Sequence, residues 1–427
     1  MKPFIPEKIF IEKKVLDTEV TRNILSYFSL LSEQCPKPKN ILRDDTLRCT
    51  QGDRESVQGD IVFRDDRIEL IDRPQEIGLK SSIETGKKHL LIQEYKGEVF
   101  EHCPAGKPGM MCCNYFIFPF AQNCHMDCEY CFLQYYLNKQ AMVVYANIEE
   151  LLQKVKKVLE NRCHSSPKPL AQAGIQKARL PSVRIGTGEY ADSLALDHIT
   201  GISRLLVPFF RDIDSRLRGN DGGGVILELK TKTNNIENLL QMNPGGSTVV
   251  SWSLSPEEIV KNHEHGTSSL TERLEAAQKC LERGYKIGFH FDPIVYYKNW
   301  EEGYRNMIEH MAQKIDFKKI EWISLGNLRL TRELKTIMKL RWRESPLAGQ
   351  EMVRSLDGRF RYPKKIRIHM YQKIWAWILE KRNDQPLYLC MENPDIWREV
   401  TTSENLINKA PSPFVIPALR LEPLAGI

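Results

Sequence analysis

From Asn114 onward the chain alternates between two rhythms of apolar residues. Short runs rich in β-branched and aromatic residues ("NYFIFPFA", "VRIGTG", "VILELKT", "STVVSWSLS", "YKIGFHFDPI", "KIEWISLGNL") are separated by longer amphipathic stretches. The stretches predict helices near 147–161, 195–210, 234–241, 270–283, 299–314 and 331–341. Six strand-then-helix units in succession predict a parallel sheet, since parallel neighbours need a crossover between them. Right-handed crossovers allow that sheet to curl into a full or partial β/α barrel, whose chemistry would collect at the C-terminal ends of its strands.

Outside this repeat the pattern is different. Residues 1–100 are polar and mixed, with short alternations such as "DIVFRD" and "RIELID" that read as strands, and they predict a separate N-terminal accessory domain. The barrel is assigned to 101–345, and 346–427 to a basic, helical C-terminal cap. Two segments interrupt the barrel. Residues 164–182 lengthen the connection to the second strand, and "RDIDSRLRGNDGGG" (211–224) reads as a solvated surface insertion without an apolar face.

Composition narrows the class. The 427 residues are 41% hydrophobic and 27% charged, which is ordinary for a soluble globular protein. No apolar run approaches the ~20 residues that a membrane span requires. The first residues, "MKPFIPEKIFIEKKVLD", are charged throughout and lack a signal-peptide core, so a cytoplasmic location and no membrane partner are expected. A net charge of +6 permits a nucleic-acid partner without requiring one.

The eleven cysteines are surplus to a disulfide framework in a reducing compartment, and six of them fall within residues 103–131. Cys124, Cys128 and Cys131 form a C-x3-C-x2-C loop just after the first barrel strand. Three thiolates can hold a [4Fe–4S] cube by three irons and leave the fourth open to a small chelating molecule. The other reading is structural zinc, which wants a fourth protein ligand such as His125 or Cys113. Cys103, Cys112 and Cys113 read as packing residues beneath the first strand, as a thiol hydrogen donor to the active site, or as ligands of a second metal. Adjacent side chains in a strand point to opposite faces, so Cys112 and Cys113 do not make a natural ligand pair.

With the loop so placed, residues of about 95–380 resemble the radical S-adenosylmethionine (SAM) superfamily, and within it the spore photoproduct lyase-like family. "NCHMDCEYCFLQ", "RIGTGEYADSLALDHIT", "LELKTKT", "SWSLSPEEIVKNHEHGTSSLTERLEAA", "GYKIGFHFDPIVYYKNWEEGY" and "ISLGNLRL" carry the resemblance. It implies a partial (β/α)6 radical SAM barrel, with Cys124, Cys128 and Cys131 holding the [4Fe–4S] cluster. The open iron would chelate SAM. Tyr130 would pack near its adenine, the Gly186–Glu189 turn ("GTGE", with Gly186, Gly188 and Glu189) would hold its ammonium, and Lys230 and Ser253 would approach its carboxylate and ribose. The reaction implied is repair of a UV-damaged thymine pair in DNA, with an electron donor of flavodoxin or ferredoxin type.

One departure bears on the substrate. In the family, the segment matching "RIGTGEYADSLALDHIT" contains a cysteine that returns a hydrogen atom to the product, and in register that position is Glu189 here. Tyr190, adjacent and phenolic, is therefore the candidate catalytic residue. Phe132, after the third cluster cysteine, cannot serve as a tyrosine relay. Near the C-terminus "DGRFRYPKKIRIHMYQK" interleaves Arg359, Arg361, Lys364, Lys365, Arg367 and Lys373 with Phe360, Tyr362 and Tyr371, and predicts contact with damaged DNA. His290, Asp292, Tyr296, Tyr297 and Trp300 either face substrate or fill the core. The alternatives to repair are a radical SAM enzyme acting on another substrate and a zinc-bound nucleic-acid module without catalysis.

Overall fold

All six predicted strands form, and they lie side by side in one sheet. The computed structural model describes residues 4–34, 67–74, 77, 82–103, 110–111, 113, 115–164, 183–219 and 224–402. The main sheet comprises β4 (Glu101–His102), β5 (Phe116–Ile117), β9 (Val183–Gly186), β10 (Val225–Thr231), β11 (Thr248–Ser253), β13 (Lys286–Ile294), β14 (Ile320–Asn327) and β18 (Leu387–Leu389). Its spatial order is β18-β14-β13-β11-β10-β9-β5-β4. Every pairing from β5 to β18 is parallel, and only β4 runs antiparallel. The sheet is a curled α/β half-barrel. A bridge between Met111 and Glu392 ties the segment before β5 to the segment after β18.

Helices pack on the outer face through their apolar stripes. Leu270–Arg283 begins with a capping box, in which the Ser269 hydroxyl accepts from the Glu272 N–H and the Glu272 carboxylate accepts from the Ser269 N–H. It ends at Gly284, whose φ of 101° favours glycine. The helix expected to stop at 210 continues to Gly219, and the insertion read over 211–224 is corrected accordingly. Phe210, Ile213 and Leu217, spaced three and four apart, are buried and supply the apolar face that segment was thought to lack. Residues 220–223, 165–182 and "DIVFRD" lie outside the described residues, as does Cys112.

A second sheet braces the barrel's entrance. It contains β1 (Lys8–Glu12), β2 (Ile68–Ile71), β3 (His89–Gln93), β6 (Ala121–Gln122) and β8 (Met142–Tyr145), in the order β2-β1-β3-β8-β6. β3 pairs with β8 in parallel, so the first hundred residues and the stretch after the cysteine loop share one sheet. Ile9, Ile11, Leu90 and Ile92 belong to the same buried core as the barrel strands.

Two small ribbons shape the site. β7 (Asp127–Cys128) pairs antiparallel with β12 (Glu264–His265). β15 (Arg329–Leu330), β17 (Phe360–Arg361) and β16 (Val353–Arg354) form a three-stranded antiparallel sheet. The helix Lys364–Lys381 follows and packs against Trp300–Lys314 and Pro394–Thr401. Among the described residues no helix is long and apolar enough to cross a membrane.

Candidate active site

A cavity of about 990 Å³ opens at the C-terminal ends of the strands, where a β/α barrel places its chemistry. Cys124, Cys128 and Cys131 line it together with Tyr130, Gly188, Glu189, Lys230 and Ser253. Eight of the nine residues expected at the cofactor and metal sites are thereby brought to one place, Gly186 being the exception.

The cysteine loop is held residue by residue. Asn123 has a left-handed φ of 71°, and its side-chain oxygen accepts from the Cys124 N–H at 2.9 Å while its amide donates to the Gln140 carbonyl at 2.7 Å. Asp127 accepts from Lys87 at 2.8 Å and from both terminal nitrogens of Arg341 at 3.0 and 2.8 Å. Glu129 meets His263 at 3.0 Å and His265 at 3.1 Å, and accepts from the Ser345 hydroxyl. Tyr130 donates to Glu264, which also accepts from Lys232 at 2.7 Å, Ser255 at 2.8 Å and Arg273 at 2.6 Å. Asn123, Asp127, Glu129 and Tyr130 are thus each tied to other segments, which holds the loop before any metal arrives.

The donor set fits a cube. Cys124, Cys128 and Cys131 share the cavity wall, and three thiolates can hold a cube by three of its irons. His125, the proposed fourth zinc ligand, packs 5.6 Å from Phe4 and is not part of the cavity lining. Burial lowers its pKa to about 4 and keeps the ring neutral. Burial pushes the Cys124 thiol up to about 12 and raises Cys128 and Cys131 as well. Iron must displace these protons, the usual linkage of thiolate metal sites.

The "GTGE" turn has a packing reason for both glycines. A Cβ at Gly186 would stand 2.7 Å from the Tyr115 ring, and one at Gly188 would stand 2.7 Å from Lys230 Cβ. Glu189 accepts from the Tyr115 hydroxyl at 2.5 Å and faces Lys230 Nζ at 3.8 Å. Burial disfavours the charge on Lys230, but the carboxylates of Glu189, Glu228 and Asp292 outweigh it and raise its pKa. The turn therefore presents a carboxylate and an ammonium side by side, the pair needed to meet the two ends of an amino acid.

Tyr190 is placed differently from the expectation. Its hydroxyl donates to Glu101 at 2.6 Å, its ring stacks on Tyr136 at 6.0 Å, and it is not among the cavity-lining residues. Tyr115 is the phenol on the wall beside Glu189, and Cys103, Cys113 and Cys390 line the same wall. Tyr115 was read only as part of a strand. Its signal was position: a phenol in the first barrel strand, packed against the glycine that closes the second.

The barrel floor holds a polar network that the sequence reading missed. Arg184 donates to Glu228 through Nε at 2.9 Å and Nη2 at 2.6 Å, and its guanidinium lies 4.3 Å from the Trp322 ring centroid. Glu228 also bonds His290 Nε2 at 2.8 Å and accepts from Ser251 at 2.7 Å. Burial works to raise the Glu228 pKa, but Arg184 and His290 reverse it and hold the carboxyl well below the usual range. At the rim Arg329 forks onto Asp292 at 2.8 and 2.9 Å. His290 and Asp292 thus face the cavity, while Trp300 is buried in the core and Tyr296 is exposed.

The basic C-terminal segment is largely spent on internal pairs. Arg361 and Arg359 both pair with Asp357, Arg367 with Glu392, Lys364 with Glu399 and Lys373 with Glu301. Tyr362 and Tyr371 are buried. Of this segment, Asp357, Gly358, Arg359 and Phe360 line the cavity.

A curled parallel half-barrel, a three-thiol loop after its first strand and a Gly-x-Gly-Glu turn closing its second define a radical SAM enzyme. The sequence profile of the spore photoproduct lyase family matches residues 87–381, and the chain belongs to that family. Spore photoproduct lyase of Bacillus subtilis is 27% identical over 260 residues, covering 60% of this chain and 67% of the relative. The lyase of a Geobacillus species is 22% identical over 371 residues, covering 84% and 89%. Solved spore photoproduct lyase structures superpose with a TM-score of 0.68 for a singly substituted enzyme, over 91% of this chain and 100% of that one at 19% identity. A doubly substituted enzyme with bound AdoMet and dinucleoside spore photoproduct gives 0.67, over 91% and 99%, also at 19%. At such identity the structural likeness speaks for the fold.

Proposed function

We propose that this radical SAM lyase repairs spore photoproduct, a UV-induced thymine lesion, in DNA. The observation that carries the proposal is the single cavity that joins the three-thiol loop, the Glu189–Lys230 pair and a basic rim of Arg332, Arg354 and Arg359. At about 990 Å³ it lies at the upper end of small-molecule sites, with room for a cofactor and a dinucleotide together.

Cys124, Cys128 and Cys131 would hold the [4Fe–4S] cluster. With SAM bound and an electron from a flavodoxin- or ferredoxin-type carrier, this cofactor pair supplies a 5′-deoxyadenosyl radical. Glu189 pairs with the SAM ammonium, Lys230 with its carboxylate, and Ser253 approaches the ribose. Tyr130 is fixed by Glu264 and walls the adenine side. The buried Arg184–Glu228–His290 floor presents fixed dipoles and excludes water from beneath the substrate.

Hydrogen return falls to the Tyr115 wall. One hydrogen atom passes from an O–H or S–H bond of Tyr115, Cys103, Cys113 or Cys390 to the product carbon, leaving an oxygen- or sulfur-centred radical on the protein. Glu189, though it stands where the family has its donor cysteine, accepts the Tyr115 hydrogen bond and aligns that phenol. The test is anaerobic turnover of a dinucleotide carrying the lesion, with dithionite and SAM. Release of thymines is expected. 5′-Deoxyadenosine formed without thymines would refute repair and leave a radical SAM enzyme of another substrate.

A further inference from the structure

With the C-terminal basic segment largely neutralised, a row of cations lies elsewhere, on the helix Arg332–Arg341 and its exit. Residues 332–343 carry five cations and one acid, a net +4 (5 − 1) beside a whole-chain net charge of +6. Arg332, Lys335, Lys339 and Arg343 make no ion pair among the described residues. The spacing of three and four puts Arg332, Lys335 and Lys339 on one stripe of the helix, and Arg343 lies just past its end. Leu334 and Met338 are buried, and Arg341 turns inward to Asp127 of the cysteine loop.

The stripe starts at the cavity and leads away from it. Arg332 lines the cavity, Lys335 Nζ lies 5.2 Å from the ring centroid of the cavity-lining Phe360, and Lys339 and Arg343 are exposed beyond. Like charges three or four residues apart on a helix repel. Lys335 registers this, its pKa lowered first by burial and then by Lys339. An anion with regularly spaced charges would relieve the repulsion along the whole row. From Arg332 to Arg341 the helical rise is about 14 Å, the length of about four phosphate steps of a DNA strand.

We propose that this stripe carries the DNA backbone flanking the lesion, so that the cavity takes the damaged dinucleotide and Lys335, Lys339 and Arg343 take phosphates beside it. The inference rests on the repair reading for the identity of the anion. It assigns duplex affinity to the helix after β15 rather than to the basic segment that the sequence singles out.

The experiment is the triple substitution K335Q/K339Q/R343Q, which leaves the cavity lining untouched and makes three surface changes of ordinarily small effect on stability. Binding of a lesion-bearing duplex is followed by fluorescence anisotropy across salt concentration, and turnover of the lesion dinucleotide is measured beside it. Removing three phosphate contacts should flatten the log Kd against log salt slope by about 2.7 and weaken binding at least ~10-fold at ~0.1 M salt. Dinucleotide turnover should be unchanged, because that substrate has no flanking phosphates. An unchanged slope would overturn the assignment. So would a matching loss of dinucleotide turnover, which would make the helix a support of the site. Slower reduction by an acidic electron carrier with duplex binding intact would also overturn it, assigning the stripe to that protein. Failure of the parent enzyme to repair the dinucleotide would count against the repair reading alone, since the anisotropy still reports on the stripe.

Discussion

Replacing Glu264 with Gln should loosen the cysteine loop from behind. The Glu264 side chain is fully buried and accepts from Lys232 at 2.7 Å, Ser255 at 2.8 Å, Arg273 at 2.6 Å and Tyr130. Glutamine keeps the shape but removes the charge, and its NH2 must face either the Arg273 guanidinium or the Lys232, Ser255 and Tyr130 donors. Removing one partner of a buried ion pair costs about 3–5 kcal/mol, and the retained amide oxygen places this case near ~3. Set against the unfolding entropy of a 427-residue chain, about 0.9 kcal/mol/K, such a loss corresponds to a fall in melting temperature of roughly 3 °C. Because Tyr130 sits between two cluster cysteines, reconstituted iron should also be retained less well after gel filtration. Burial works to raise the Glu264 pKa, but Arg273, Lys232 and its hydrogen bonds hold it well below the usual range. A carboxyl depressed on folding stabilises fully above its unfolded value of about 4.3, and that stabilisation is lost as pH falls through the folded value. The gap between parent and variant should therefore be full at neutral pH and shrink in acid. Differential scanning calorimetry with iron analysis provides the assay. Equal melting at neutral pH with equal iron would refute the clamp.

Three further outcomes follow from the site. Cys128→Ala should lose the visible absorbance and most iron of the reconstituted protein while its far-UV circular dichroism stays near that of the parent; retention of both would refute the ligand assignment. Tyr115→Phe should lower thymine release with 5′-deoxyadenosine still formed, whereas Tyr190→Phe should leave the ratio of the two products near that of the parent; the reverse order would return the donor role to Tyr190. Gly188→Ala, whose Cβ would stand 2.7 Å from Lys230 Cβ, should push Lys230 aside and weaken SAM affinity by about tenfold or more, read by equilibrium dialysis; unchanged affinity would remove Lys230 from the SAM site.

The barrel was legible because its signals are local. Strand-length apolar runs, helix periodicity and the cysteine spacing each occupy a few adjacent residues, and the helix Leu270–Arg283 falls on its expected residues. What could not be read depends on distant pairing. Arg184, Glu228 and His290 come from three strands, 44 and 62 residues apart where they bond, and nothing local marks them as partners. The N-terminal segment joins the barrel through β3 and β8, which are separated by the cysteine loop. The basic segment looked like a nucleic-acid surface because its neutralising partners Glu301, Glu392 and Glu399 lie in other elements. Tyr190 drew attention by adjacency to Glu189, yet the turn sends it to Glu101 and leaves Tyr115 on the wall.

The central claim is that the three-thiol loop and a DNA lesion meet in one cavity. The most direct measurement uses a lesion dinucleotide fully deuterated in its thymine moieties, incubated anaerobically with reconstituted enzyme, dithionite and SAM. The account predicts deuterium in 5′-deoxyadenosine or recovered SAM, together with released thymines; unlabelled 5′-deoxyadenosine and intact lesion would contradict it.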